Sequence, residues 1–236
     1  MLQGEFRNQV YNAAHSAGDA ELMLAQTGRF ANFLEKAADV FSKHNVADFA
    51  GVFLIHRHNH VADGQAMIET DAILDGADAL VTRPRDAKET AVSVPTRWIV
   101  GDGCFEPFEY SDNLRMRPQL SRLDNTPEFL RDVRALLNRF ELTDLVGLCL
   151  FDRGLYEKGP AGHILVETTD EETSSNIVRW MSGDLDQSKL IKTVWHFAPS
   201  KGEGGGCVPQ CNEVCYFSSP DDQHKSFHKS KHFNIA

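Results

Sequence analysis

The chain is short of positive charge. Lysine and arginine total 24 against 34 aspartates and glutamates, which leaves a formal charge of −10. Phosphate recognition needs a basic face, so nucleic acid is excluded as the main partner. An anionic membrane surface is excluded on the same ground. Long apolar runs are also missing: no stretch reaches the roughly 18 residues of a membrane-spanning helix. The opening MLQGEFRN contains no apolar core of a secretory signal. A cytoplasmic location with reduced thiols is therefore expected. Cysteine is scarce and odd in number, at five, so a disulfide framework is not expected.

Several motifs are absent too. The glycines at 202–206 are not followed by Lys-Ser/Thr, so they make no phosphate loop. No repeat of solenoid or propeller period is present. The Pro-Cys-x-x-Cys deaminase signature and the C-x2-C spacing of iron–sulfur proteins are both lacking.

What is present is ordinary globular material. Hydrophobic residues make up 42% and charged residues 25%, which rules out wholesale disorder. A length of 236 residues suits one to two domains.

The first 45 residues read as helical. Phe30, Phe33, Leu34, Ala37, Ala38 and Phe41 form one apolar stripe, and Gly18 and Gly28 read as helix breakers. A further helix is expected at 127–141, with Thr126 as N-cap, Pro127 at the first position and Phe129, Val133, Leu136, Leu137 and Phe140 as its buried face. Strands are expected at 51–61, 67–70, 79–83, 92–100 and 105–110, then at 145–151, 163–169, 176–181 and 190–198. Strands and helices do not alternate regularly, so a doubly wound parallel sheet is not expected. The expectation is an α+β fold: a mostly antiparallel sheet with N-terminal helices. Its parts would be a helical layer at 1–46, a body at 47–198, and a Gly-rich linker with a Cys/His-rich appendage at 199–236.

Two groups of metal-ligand residues carry the functional reading. In the first, His56, His58 and His60 end an apolar run. On a continued strand they would share a face with Val52 and Leu54. Imidazoles at i and i+2 can converge on one ion, so His56 and His58 are the candidate ligands. A neighbouring strand would supply a third, from His163, Glu167, His196 or Glu69. Glu167 and Glu69 are also the candidate catalytic carboxylates, as general bases on an activated water. The competing readings are a packed core and a solvated ladder. The spacing fits neither a cupin nor an HNH nuclease.

The second group is the tail. Cys207, Cys211 and Cys215 are followed by His224, His228 and His232, all at zinc-compatible spacing. Aliphatic residues are few there, and ordering about 30 residues costs on the order of 1–2 kcal/mol each. A structural zinc, worth about 10–16 kcal/mol in peptide hosts, would offset that. Cys207, Cys211, His228 and His232 are the first choice of ligands, with a metal-free tail or a disulfide as alternatives.

Elsewhere, Trp98, Trp180 and Trp195 are expected in the core, Cys149 as a buried inert thiol, Cys104 on a loop, and Glu106 and Glu109 facing solvent.

The motifs that carry a resemblance are Leu54-Ile-His56-Arg-His58 with Glu69, Trp98 before Pro107-Phe-Glu-Tyr110, Gly147-Leu-Cys149, Val166-Glu-Thr-Thr169, Trp195-His-Phe197 and the Cys/His tail. Over roughly residues 50–232 the sequence resembles a loosely defined set of uncharacterised fungal and bacterial proteins. That resemblance implies no particular activity. The residues themselves point to a metal-binding soluble protein. It would be a small-molecule metalloenzyme activating water or oxygen, or a non-catalytic binding or sensor protein with a structural zinc in its tail. Zinc is the expected ion, with iron or copper also compatible.

Overall fold

The computed structural model describes residues 2, 4–151, 159–170, 172–199 and 206–217. Three helices open the chain: α1 (Asn8–Ala13), α2 (Ala17–Thr27) and α3 (Phe30–Lys43). Strands β1 (Ala50–Leu54), β2 (Gln65–Leu74), β3 (Ala77–Asp86), β4 (Val94–Val100) and β5 (Phe105–Ser111) follow. Helices α4 (Arg117–Asp124) and α5 (Pro127–Phe140) come next. Strands β6 (Val146–Leu150), β7 (His163–Asp170), β8 (Ser175–Ser182), β9 (Leu190–Pro199) and β10 (Cys207–Tyr216) complete the described chain.

The expected α+β fold is not what forms: most strand pairings are antiparallel, but the sheet is closed and mixed rather than open. It closes into a ten-stranded mixed barrel in the order β1-β6-β4-β5-β2-β3-β8-β7-β10-β9, with β9 returning to β1. Two features invisible to local pattern cause this. Parallel pairings join β2 to β5 and β7 to β10, and so knit hairpins side to side. Strand β10, read from sequence as a coreless tail, fills the gap between β7 and β9. Over residues 207–217, ladder hydrogen bonds on both sides and burial of Val214, Tyr216 and Phe217 order the strand without a metal; the rest of the tail lies outside the described residues. Closure leaves no edge strand unpaired among the described residues.

The two halves repeat one another about an approximate two-fold axis. Each runs helix, strand, hairpin, hairpin. Mapping β1–β5 onto β6–β10 conserves every pairing: β2–β3 matches β7–β8, β4–β5 matches β9–β10, and β1–β9 matches β6–β4. The local detail repeats too. Asn45 after α3 and Glu141 after α5 both take left-handed backbone, at φ 54° and 57°. Val46 N bonds Phe41 O as Leu142 N bonds Leu137 O. Phe33-Leu34, Ala37, Gly51 and Trp98 recur as Phe129-Leu130, Val133, Gly147 and Trp195. The repeat unit is half the chain, far longer than a solenoid or propeller period.

Helices α3 and α5 lie together over β1 and β6, with Phe41 and Phe129 in edge-to-face contact at 4.9 Å. Val52, Leu54, Val146 and Leu148 face this helical layer. Phe53 points the other way, into a cluster with Tyr11, Met67, Phe108, Cys149 and Val194. Met67 on β2 and Val194 on β9 are not neighbours in the sheet, so this second cluster spans the barrel lumen. Gly51 and Gly147 admit the close approach: a Cβ on Gly147 would meet the Phe53 ring at 2.3 Å.

Smaller expectations also resolve. Gly18 lies inside α2 rather than breaking it, whereas Gly28 ends it in left-handed conformation. Thr126 precedes α5 without capping it, because its hydroxyl donates to Arg122 O at 2.8 Å. Trp98 and Trp195 are buried, while Trp180 is half-buried. No helix among the described residues is long and apolar enough to cross a membrane.

Candidate metal centre

The strand that carries the histidines stops sooner than expected. β1 ends at Leu54, and the Ile55 amide makes a last bond to Leu145 O. The chain then turns away, and the Arg57 amide bonds His15 O instead of a sheet neighbour. His56 and His58 therefore lie on a loop across the barrel end, not on a strand face. That loop bends both imidazoles inward, at 2% and 1% exposure, while His60 stays exposed.

They meet two strand residues. Glu167 on β7 and Cys215 on β10 are direct partners in the parallel pairing. His56, His58, Glu167 and Cys215 each offer one ligand atom, and these atoms all lie within 4.8 Å of one another. Cys215 Sγ is 3.3 Å from His56 Nε2 and donates to Glu167 Oε2 at 2.8 Å. Glu167 Oε2 is 3.5 Å from His56 Nε2, and its Oε1 is 3.1 Å from His58 Nε2. Zinc bond lengths of about 2.0–2.3 Å place tetrahedral ligand atoms roughly 3.3–3.8 Å apart. The four separations given lie within that range or at most about 0.5 Å short of it.

A supporting shell holds these donors. His56 Nδ1 lies 2.7 Å from Leu54 O. A carbonyl only accepts, so Nδ1 carries the proton and Nε2 presents its lone pair to the cluster. Thr169 Oγ1 is 3.4 Å from His58 Nδ1. Asn176 Nδ2 donates to Glu167 Oε1. Burial lowers the His58 pKa against the opposing pull of Glu167, which favours the neutral, ligating imidazole. Burial also pushes the Glu167 carboxyl up. The two imidazoles, by charge and hydrogen bond, outweigh that and hold it well below the usual carboxylate range. Burial, with Glu167 next in effect, raises the Cys215 thiol.

The polar interior extends beyond these four. Arg97 on β4 reaches across the lumen, with Nε 3.3 Å from Glu109 Oε2 and Nη2 3.1 Å from Glu213 Oε1. Its guanidinium sits 5.3 Å from the Phe53 ring centre. Burial raises Glu213 to about 7 and Glu69 to about 8. The two-fold axis relates Glu69 to Glu167, Glu109 to Glu213, and Ser111 to Cys215, since Glu69 pairs with Ser111 as Glu167 pairs with Cys215. The two halves share their carboxylates, but the other donors are divided between them: His56 and His58 follow β1 in the first half, and Cys215 is on β10 in the second, where the first half has Ser111. Among the described residues, four acidic groups converge here on one guanidinium. Buried charge needs compensation, so this interior requires protons or a cation.

The sequence-derived candidates divide clearly. His56, His58, Glu167 and Cys215 come together. Glu69 sits in the other half, beside Ser111. His163 is at the exposed start of β7, with Nδ1 3.3 Å from Ala161 O, and His196 is on β9. Both line a separate cleft of about 780 Å³ and neither joins the metal group. Cys207 and Cys211 share β10 with Cys215, where four residues span roughly 13 Å. Spacing that would converge on a helix diverges on a strand. Cys211 Sγ bonds Glu213 O at 3.4 Å, and burial pushes its pKa up to about 11. His224, His228 and His232 lie outside the described residues.

Cys149 is buried and raised by burial to about 12, as an inert thiol would be. Glu109 is not solvent-facing but 5% exposed and paired to Arg97. Sequence reading missed Arg97, Glu213 and Asn176, and placed Glu109 at the surface. The one available signal was the repeat of Ile68-Glu69-Thr70 as Val166-Glu167-Thr168, which marks corresponding positions of two halves. Comparison of the chain with protein-family models, curated proteins and solved structures finds no match.

Proposed function

We propose that this protein is a transition-metal-binding barrel, with zinc as the ion its donors fit best, held by His56, His58, Glu167 and Cys215. The observation that carries the reading is the convergence of four buried ligand atoms within 4.8 Å. Three further points support it. The Leu54 carbonyl fixes the ligating tautomer of His56. One thiolate with two imidazoles favours zinc, copper or iron over magnesium or calcium. The excess of buried carboxylates is relieved by a divalent cation. A complete set of four protein donors is the pattern of a retained ion rather than an exchanging one. The protein is thus read first as a non-catalytic metal-binding protein whose ion sits in the barrel rather than in the tail.

A catalytic reading is favoured by one further observation. Glu213 and Glu69, at about 7 and 8, lie in the same polar interior, and perturbed acids cluster where proton transfer occurs. If Cys215 yields its place, His56, His58 and Glu167 form a two-His, one-carboxylate set suited to activating water or oxygen on a small molecule. Glu213 would then be the proton acceptor.

Elemental analysis of purified protein tests the common core: about one zinc per chain is expected, and loss of it in His56→Ala/His58→Ala. Absence of metal from both proteins rejects the reading. Cobalt substitution separates its two forms. Visible bands that ignore added azide mean a closed site; bands that shift mean an open, catalytic one.

A further inference from the structure

The four donors are at most 2% exposed, so an ion has no direct path to them. Glu167 and Cys215 lie on strands paired on both sides within the closed barrel. Opening there would break the sheet. His56 and His58 sit on the loop that follows β1, and that loop is held from outside the sheet. A strap at residues 7–16, which includes α1, binds it. Arg57 N bonds His15 O at 3.0 Å and Arg57 Nε donates to Ala14 O at 2.9 Å. Asn12 closes a two-bond ring with Val61: its Nδ2 donates to Val61 O at 2.8 Å, and its Oδ1 accepts from Val61 N at 2.9 Å. Asn8 Nδ2 donates to Asp63 at 2.6 Å.

Tyr11, on the same strap, fills the mouth of the lumen. Its ring is 1% exposed and packs on Phe108 at 4.8 Å. It belongs to the interior cluster with Phe53, Ile55 and Met67, against the backbone of His58. The strap is weakly built in itself. α1 has six residues and no side-chain N-cap, so its stability comes from these docking contacts. Elements of that kind open locally before the core does. At its far end Ser16 caps α2, accepting from Asp19 N at 3.1 Å, which gives the strap a fixed anchor to swing from.

We infer that this strap is the gate of the metal centre: undocking of residues 7–16, with withdrawal of Tyr11, frees the His56–His58 loop and sets how fast the ion enters and leaves. The inference rests on the metal-binding reading above and adds its kinetic control. The Asn12–Val61 ring is the latch.

The test follows transfer of zinc from the loaded full-length protein to excess chelator. Asn12→Ala removes two hydrogen bonds that exist only in the docked strap, so release is expected to accelerate roughly tenfold. Tyr11→Ala is expected to accelerate it further. Both variants should still load one zinc per chain. Phe129→Leu, in the helical layer far from the strap, serves as a control for general destabilisation and should change release far less. Equal acceleration by Phe129→Leu and Asn12→Ala would mean that the ion leaves by global unfolding, and the gate would be refuted. So would an unchanged rate in Asn12→Ala and Tyr11→Ala. Amide exchange in the metal-free chain separates the two ideas. Arg57 and Val61 should exchange faster than the β7 amides, and faster still in Asn12→Ala. Exchange of these amides only with the barrel strands overturns the gate and leaves the metal reading standing. Uptake of no zinc by the wild-type chain removes both.

Discussion

Zinc should stabilise the folded barrel, and Cys215→Ala should abolish most of that effect. In the metal-free protein the substitution deletes one buried sulfur and the thiol–carboxylate hydrogen bond to Glu167. Loss of a small buried group and one hydrogen bond to a charged acceptor costs about 2–3 kcal/mol. The metal-loaded protein loses more, because the ion loses its one thiolate. Zinc binds the folded state and adds RT ln(1 + [Zn]/Kd), about 2.7 kcal/mol at 100 times Kd and about 4.1 at 1,000 times. At this chain length 1 kcal/mol moves the melting temperature by about 2–4 °C. Wild type should therefore gain roughly 5–16 °C across a buffered zinc titration, while Cys215→Ala gains a few degrees or none. Circular dichroism melts at fixed free zinc measure this directly. A gain of equal size in both proteins would place zinc elsewhere and refute the assignment of Cys215. No gain in wild type would refute the site altogether.

Three further outcomes follow from the interior. Arg97→Met strands Glu109 and Glu213 without their cation, and should lower unfolding free energy by about 3–5 kcal/mol in denaturant titrations; a loss below about 1 kcal/mol would refute a structural role for this buried ion-pair network. Gly147→Ala drives a methyl into the Phe53 ring and Trp98 O, and should destabilise by about 3 kcal/mol or more or abolish soluble expression; a neutral result would contradict the β1–β6 packing. Burial raises the Glu69 carboxyl from its ordinary 4.5 to about 8, so the folded state holds a proton that the unfolded chain releases. Its contribution is full at low pH and lost as pH rises through about 8, with a slope of up to about 1.4 kcal/mol per pH unit. Glu69→Gln should flatten the wild-type decline in stability between pH 5 and 8, and an unchanged slope would exclude Glu69 as its source.

Much of the secondary structure could be read locally. The stripe from Phe30 to Phe41 and the Pro-led helix before Phe140 are set by 3.6-residue periodicity, and α3 and α5 follow it. Nine of the strands follow β-branched runs closed by turn residues, and each has its counterpart in the fold. His56, His58 and Glu167 could be singled out because metal chemistry selects residue types that are rare in an apolar run.

What the sequence could not decide is where the chain goes between elements. Nothing local distinguishes β10 from a tail, because its order comes from ladder bonds to β7 and β9 rather than from its own apolar content. Nothing local stops β1 at Leu54, because the competing partner of Arg57 is His15 on the distant N-terminal strap. The fourth donor depends on both. Cys215 reaches His56 only because β10 lies parallel to β7 and the histidine loop folds over the barrel end. Residue chemistry is a property of the sequence, and it named all four donors, but it grouped Cys215 with the tail rather than with His56, His58 and Glu167. Convergence is a property of long-range pairing, and only the closed barrel brings Cys215 to Glu167 and leaves Cys207, Cys211 and His163 behind.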